Sequence, residues 1–361
     1  MQDAAGELSV KNDPSGSGFA REPGKPRGSF RAARAASVLV VALGIGFAVW
    51  WITQQVPSWT LAVPYGLLGL LALILWRFPL SSVPGRTASK LWEGLLLFAV
   101  ILAIRLPGYA TAGLLPEKTP LIVATFLWIR WIHGWSWADV GWSGHRLGRQ
   151  ILFGLGFVLL YWLLYQGVFA LFTGLDVGIA RVQWWTYPPA QAPIPGMDPL
   201  LFAALLFLFS NFAEELFFRG FLLREVRFGS RSLWGPFLFQ AILFGLYHIN
   251  YGLFPAGGGG PEWGYLGWYL AWTFLFGLGF GFAYLLSGSL ISNTIFHVAA
   301  NLMQSTAILL FVPVRSAFPT PVDYRNASVG IVLLIVTGLF TLVLGILYAL
   351  QRRQQRARQP T

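Results

Sequence analysis

The sequence contains no cysteine and few charged residues. Among 361 residues, the lack of cysteine excludes disulfides, thiolate zinc sites and a cysteine nucleophile. Only 11% of the residues are charged, whereas 56% are hydrophobic. Ordinary soluble domains carry about 25% charged residues. This composition therefore excludes a soluble globular protein and indicates an integral membrane protein.

Apolar runs of membrane-spanning length recur from residue 36 onward. We predict an all-α fold, a polytopic transmembrane helical bundle of about 8–10 spans. The spans are predicted at 36–52, 57–76, 91–105, 120–132, 150–173, 199–223, 236–250, 263–286, 289–312 and 329–350. The chain then divides into a disordered cytoplasmic tail (1–34), amino-terminal transmembrane helices (35–198), a transmembrane core that holds the buried polar residues (199–312), a carboxy-terminal transmembrane helix (313–350) and a basic cytoplasmic tail (351–361).

The net charge of +11 is a topology signal. Basic residues concentrate in the two tails and in alternate loops, and Arg105 and Lys118 are among the few assigned to outer loops. Because cytoplasmic segments of membrane proteins are enriched in Lys and Arg, both termini are predicted to be cytoplasmic. The basic excess fits a protein embedded in a lipid bilayer, and no nucleic-acid partner is predicted.

Charged residues inside the apolar spans concentrate in the sixth span. A charge in hydrocarbon is unfavourable by at least about 2.5 kcal/mol, so each charged residue in a span is expected to have a structural or functional role. Glu215 and Arg219 are spaced i, i+4 with the acid first, which favours a helical ion pair. Glu214 is rotated by about 100° from its neighbour. It has no cation on its own helix and must face another part of the protein.

Two of the four histidines lie within later spans. Phe244 and His248 share one face of the seventh span, and His297 and Asn301 share one face of the ninth. At about 1.5 Å rise per residue, Glu214, His248 and His297 fall at a similar depth. We therefore predict that an acid, two imidazoles and an amide converge in a low-dielectric cavity, as functional sites in membranes do.

These groups suit peptide hydrolysis, which needs a base for water and donors for the oxyanion. Glu214 and His248 can hold and deprotonate a water molecule. His297 and Asn301, one helical turn apart, can donate to the oxyanion. No covalent nucleophile is required.

Three motifs follow one another on separate spans: Glu-Glu-x-x-x-Arg, Phe-x-x-x-His and His-x-x-x-Asn. In this order they resemble the CPBP (Abi) family of intramembrane proteases, which includes CAAX-prenyl endopeptidases and bacteriocin-processing enzymes. The resemblance covers about residues 200–312. It implies that 199–312 is the catalytic core, with Glu214, His248, His297 and Asn301 as catalytic residues and Glu215, Arg219 and Phe244 in supporting roles.

The resemblance also implies a membrane-associated peptide or protein substrate and a location in the bacterial inner membrane. Members of the family were long described as metalloproteases, so zinc is the alternative cofactor, with Glu214, His248 and His297 as its ligands. The chain lacks His-Glu-x-x-His, and these three residues come from separate helices. We therefore predict that no cofactor is required.

Two other classes of function remain open. Buried Glu and His residues also serve proton-coupled transporters, although the first five predicted spans contain no matching set. A non-catalytic membrane scaffold or immunity protein is the other alternative. The Gly-x-Ser-Gly pattern at Ser143 has the form of a rhomboid serine protease motif, but it lies in a Trp-rich segment before the fifth span and is read as a loop turn.

Overall fold

A computed structural model describes residues 94–95, 97–99, 101–102, 105, 114–129, 133, 135–173, 180–183, 199–228, 234–253, 261–309 and 327–358. The predicted tail at 1–34 and the predicted spans at 36–52 and 57–76 lie outside these residues. In the described ranges the chain is overwhelmingly helical, which confirms the all-α class. The helices are α1 (Leu114–Leu127), α2 (Leu147–Thr173), α3 (Pro199–Glu215), α4 (Leu223–Phe228), α5 (Trp234–Tyr247), α6 (Asn250–Leu253), α7 (Trp263–Ser287), α8 (Leu290–Ser305) and α9 (Ala327–Ala357).

Three of the described helices are long and apolar enough to cross a membrane: α2, α7 and α9. Large apolar side chains line an outward face of α2, where Leu152 is 70% exposed and Leu159 is 55% exposed. Leu155 and Leu163 continue this face at helical spacing. A row of exposed leucines is unfavourable in water and favourable in hydrocarbon. These helices identify an integral membrane protein.

The predicted ninth span, 289–312, is longer than the helix that the structure contains. Helix α8 ends at Ser305, and the chain continues as strand β2 (Thr306–Leu309). This strand pairs antiparallel with β1 (Ala180–Gln183), with Ala180 opposite Leu309. A short apolar run with β-branched residues cannot be assigned to helix or strand by hydropathy alone. Similarly, α9 continues through Ala357, beyond the predicted end of that span at residue 350.

The sixth predicted span contains a change of helix type directly after the two glutamates. Helix α3 ends at Glu215, and Leu216–Leu222 form a π-helical segment before α4 begins at Leu223. Every residue of this segment is buried. Wide helical turns of this kind often accompany functional sites. The carboxylates of Glu214 and Glu215 therefore lie where the helical register changes.

Glycines in α7 allow its backbone to approach α5 closely. A Cβ on Gly277 would lie 2.9 Å from the Cα of Ala241, and one on Gly281 would lie 2.6 Å from the Phe237 ring. Either substitution would push the helices apart. Because α5 is so close, the Gln240 side-chain amide donates to the Gly277 carbonyl oxygen at 2.9 Å.

Candidate active site

Glu214 faces two imidazole rings that come from other parts of the bundle. Its Oε2 lies 3.9 Å from His248 Nε2, just after α5, and 3.8 Å from His297 Nε2 on α8. The residue is only 3% exposed, and Oε2 accepts no hydrogen bond from the residues that the structure describes. Separations near 4 Å are too long for direct hydrogen bonds and suit a bridging water.

Glu215 is the centre of a buried hydrogen-bond network. Its Oε1 accepts from Arg219 Nη1 at 3.2 Å and lies 2.8 Å from His297 Nδ1. Its Oε2 accepts from Asn293 Nδ2 at 3.1 Å. The i, i+4 ion pair between Glu215 and Arg219 is thus present in the structure. Glu215 also joins α3 to α8, because two of its partners lie on that helix.

The Arg219 guanidinium is enclosed by aromatic rings and backbone. Its Cζ lies 4.4 Å from the Phe244 ring centroid and 5.1 Å from that of Phe280. Its Nη2 donates to the Gly277 carbonyl oxygen at 3.3 Å. Charge pairing with Glu215 and stacking on aromatic faces are both interactions that suit a buried arginine. Arg219 therefore ties the π-helical segment to α5 and α7.

The backbone of Phe244 determines which nitrogen of His248 carries a proton. His248 Nδ1 lies 2.8 Å from the Phe244 carbonyl oxygen, which can only accept a hydrogen bond. His248 Nδ1 must therefore be the donor. In the neutral ring, Nε2 then has a lone pair directed toward Glu214, which is the tautomer that a general base requires.

Glu215 fixes the orientation of His297 in the same way. Because an ionised carboxylate only accepts, His297 donates from Nδ1 to Glu215. The His297 ring also packs on Phe280, with the centroids 4.2 Å apart. His297 can therefore donate from Nε2 as well only when both ring nitrogens carry a proton.

Asn301 reaches α3 through a second amide. Its Nδ2 donates to Asn211 Oδ1 at 2.9 Å, which leaves the other N–H of the Asn301 amide for a further acceptor. Asn211 is 1% exposed, and its Nδ2 has no hydrogen-bond partner in the described ranges. Asn211 lies one turn before Glu214 and Glu215, so the amide pair and the carboxylates occupy one face of α3.

The cation that contacts Glu214 is Lys118 of α1, which was predicted to lie in an outer loop. Lys118, assigned above to an outer loop, lies within α1 and is 1% exposed. Its Nζ contacts Glu214 Oε1 and lies 3.4 Å from the Tyr247 hydroxyl. The residues after 120 are more apolar, which led the predicted span to begin too late. The position of this lysine at the edge of an apolar run was the sequence feature that could have indicated its burial.

Arg105 is another basic residue assigned to an outer loop that the structure buries. It is 0% exposed, and its guanidinium carbon lies 3.5 Å from the Tyr247 ring centroid. Lys118 Nζ lies 4.6 Å from the same centroid. Tyr247 therefore contacts two cations beside Glu214, and its ring also packs edge-on against the His248 ring, with the centroids 5.5 Å apart.

Ser143 lies apart from these residues in a turn before α2. Ser143 is half-buried, and its side chain accepts a hydrogen bond from the backbone N–H of His145 at 3.1 Å. The Ser143 carbonyl oxygen accepts from the Gln150 side chain at 2.8 Å. These local contacts are those of a loop turn.

The donor set around Glu214 does not fit a zinc ion. Within the described part of the chain, no group of three His, Cys, Asp or Glu side chains has metal-binding geometry. A divalent cation on Glu214 would also lie close to the Lys118 ammonium, and like charges repel each other strongly where water is excluded. That the protein needs no metal stays a prediction, and no step below uses one.

Part of the chain is similar to a known protein family. Residues 196–303 match the family model described as Rce1-like, type II CAAX prenyl endopeptidase Rce1-like. The matched segment contains Glu214, His248, His297 and Asn301. Lys118 precedes it in the chain and lies outside the match. No curated protein matches the chain.

Proposed function

We propose that this protein is an intramembrane endopeptidase of the CAAX type, because residues 196–303 match the Rce1-like family model of type II CAAX prenyl endopeptidases. It hydrolyses a peptide bond with water activated by Glu214 and His248. The observation that carries the proposal is the convergence of Glu214 Oε2 with His248 Nε2 and His297 Nε2 at 3.9 and 3.8 Å in a buried position.

Water activation follows from the two acceptors. A water between Glu214 Oε2 and His248 Nε2 donates one hydrogen to each, which directs an oxygen lone pair away from both. As this oxygen attacks the carbonyl carbon of the scissile bond, one proton passes to the Glu214–His248 pair. The ionised carboxylate and the unprotonated Nε2 are both acceptors, so the pair can take up the proton that the water releases.

The oxyanion of the tetrahedral intermediate needs hydrogen-bond donors already in place. Asn301 supplies one N–H, because only one is used by Asn211. His297 supplies an N–H from Nε2 when its ring carries both protons, and Glu215 holds its Nδ1. When the C–N bond breaks, the proton held by Glu214 and His248 passes to the departing amine. The carbonyl re-forms as a carboxylic acid, which then releases the second proton of the original water to solvent.

We propose a peptide or protein associated with the membrane as the substrate. Helices α5 and α8 pack against the membrane-spanning helices α7 and α2, which supports a substrate held at the membrane. We propose the bacterial inner membrane as the location, with both termini on the cytoplasmic side. A C-terminal prenylated peptide is the first substrate to test, given the description of the matched family.

The function is tested by comparing peptide termini in membranes that contain the wild-type protein or Glu214→Gln. New peptide ends should appear only with the wild type. The purified wild-type protein should also cleave a farnesylated CAAX peptide after stringent chelation. Identical terminus profiles, together with no cleavage of the peptide, would contradict the proposal, and activity restored only by added metal would contradict the metal-free reaction.

Ser143→Ala provides the matched control for that comparison. It changes a polar group in an exposed turn and leaves the Glu214 region untouched. Its terminus profile should equal that of the wild type. Loss of cleavage in a folded Ser143→Ala protein would instead indicate a serine nucleophile.

Asn301→Ala is expected to lower kcat by about 10²- to 10³-fold, the usual effect of losing one oxyanion donor. Asn301→Asp keeps the size of the side chain but places an acceptor and a negative charge near the oxyanion. Its kcat should therefore fall by at least as much as that of Asn301→Ala. Steady-state cleavage of the farnesylated peptide measures both. An active Asn301→Asp variant would exclude Asn301 from the oxyanion site.

A further inference from the structure

The contact between Lys118 and Glu214 lies outside everything that the three motifs specify. Lys118 is on α1, and its Nζ contacts Glu214 Oε1, while Glu214 Oε2 faces the two imidazoles. We propose that Lys118 is a positioning residue: it holds Oε1 and keeps the carboxylate charged, so that Oε2 is presented to the water. This inference rests on the proposed function.

The two adjacent glutamates differ in where their charge is balanced. Glu215 is paired with Arg219 on its own helix and receives further hydrogen bonds from α8. Glu214 is 3% exposed and obtains its cation from α1, through Lys118. A buried carboxylate without a cation is strongly disfavoured and takes up a proton instead. A protonated Glu214 could not accept a proton from water.

The ammonium contact also selects between the two carboxylate oxygens. Rotation of the Glu214 carboxyl group would exchange Oε1 and Oε2, and only a bound donor on one side fixes which oxygen remains available. Lys118 contacts Oε1, whereas the two imidazoles face Oε2. It therefore acts through Glu214.

The charged and titratable groups that face Glu214 come from all the surrounding elements. His248 and Tyr247 approach from the end of α5, His297 from α8 and Lys118 from α1. Arg105 stacks on the Tyr247 ring, with its Cζ 3.5 Å from the ring centroid. Glu215 and Arg219 lie next along the same chain segment and pair with each other. Lys118 is the cation whose contact is with Glu214 itself.

The first test separates a positioning role from simple packing. Lys118→Met removes the charge but keeps a long side chain, and is expected to lower kcat for the farnesylated peptide by about 10- to 100-fold. The KM should change by less than about twofold, because substrate binding is untouched. Lys118→Arg, which keeps the charge, should recover part of the loss. Thr125→Val, on the same helix with its hydroxyl bonded to Leu121 O, should retain wild-type kcat.

The second test does not depend on activity. In Lys118→Met the Glu214 charge is left unpaired, whereas the double variant with Glu214→Gln has neither charge. The double variant should therefore unfold at a higher temperature in detergent than Lys118→Met alone. If Lys118→Met fails to accumulate in membranes, accumulation of the double variant supports the same coupling.

The outcomes distinguish the two proposals. Coupling in the thermal experiment without any cleavage by the wild type would overturn the proposed function and retain the Lys118–Glu214 pairing. Additive destabilisation in the double variant would overturn the pairing, whether or not the wild type cleaves. Equal loss in Lys118→Met and Lys118→Arg, with a raised KM, would overturn the positioning role.

Discussion

Replacing His248 with glutamine is expected to lower kcat/KM by roughly 10²- to 10⁴-fold, the range found when a general base is removed. In the structure, His248 donates from Nδ1 to the Phe244 carbonyl oxygen, so Nε2 is the nitrogen that faces Glu214. Glutamine is polar but cannot take up the proton at neutral pH. Cleavage of the farnesylated peptide by purified protein gives the measurement.

His145→Gln is the matched control for this variant, because it makes the same substitution in the exposed turn before α2. It should leave kcat/KM at the wild-type value. The thermal midpoint of His248→Gln should also stay close to that of the wild type, which would show that the loss is chemical. Wild-type turnover in a folded His248→Gln protein would remove this histidine from the reaction.

Replacing Glu215 with glutamine is expected to destabilise the protein by about 3–5 kcal/mol, the usual consequence of removing one partner of a buried ion pair. Arg219 would then lack the carboxylate with which it pairs at 3.2 Å, and His297 would lose the anion at 2.8 Å from Nδ1. We expect a fall of roughly 10 °C in the midpoint of thermal unfolding. Turnover should fall as well, because His297 loses the carboxylate that orients its ring.

Glu262→Gln serves as the control for Glu215→Gln. Glu262 lies at the start of α7, is only half-buried, and makes no contact with the Glu215 network in the described ranges. The midpoint of thermal unfolding of Glu262→Gln should differ from that of the wild type by no more than a few degrees. A Glu215→Gln protein as stable and active as the wild type would show that the buried network contributes little to folding or chemistry.

The helical part of the fold was predictable because long apolar runs and three-to-four-residue spacing are local properties of a sequence. Helices α2 and α7 lie close to the predicted spans 150–173 and 263–286. The segment after Ser305 was assigned wrongly to a helix, since its strand pairs with residues more than a hundred positions away. The π-helical turn at Leu216–Leu222 has no signature in hydropathy either.

The candidate site shows the same division between local and distant signals. The Glu215–Arg219 pair and the shared face of Phe244 and His248 follow from i, i+4 spacing, and both contacts are present in the structure. Lys118 and Asn211 were missed as partners of Glu214 and Asn301. Each of these contacts joins two helices far apart in the chain. Spacing along one helix carries no information about which residue on another helix will face it.

The pairing of Lys118 with Glu214 joins two portions of the chain that differ in how they can be recognised. Residues 196–303 carry the family pattern, and Lys118 lies well before them. A chimera could join this segment to the amino-terminal helices of a different protein. It would keep Glu214 and both imidazoles. Its turnover would depend on whether the new amino-terminal helices place an ammonium group where Lys118 lies. Segments of such helical bundles can therefore be exchanged only if each buried charge in one segment still meets its opposite charge in the other.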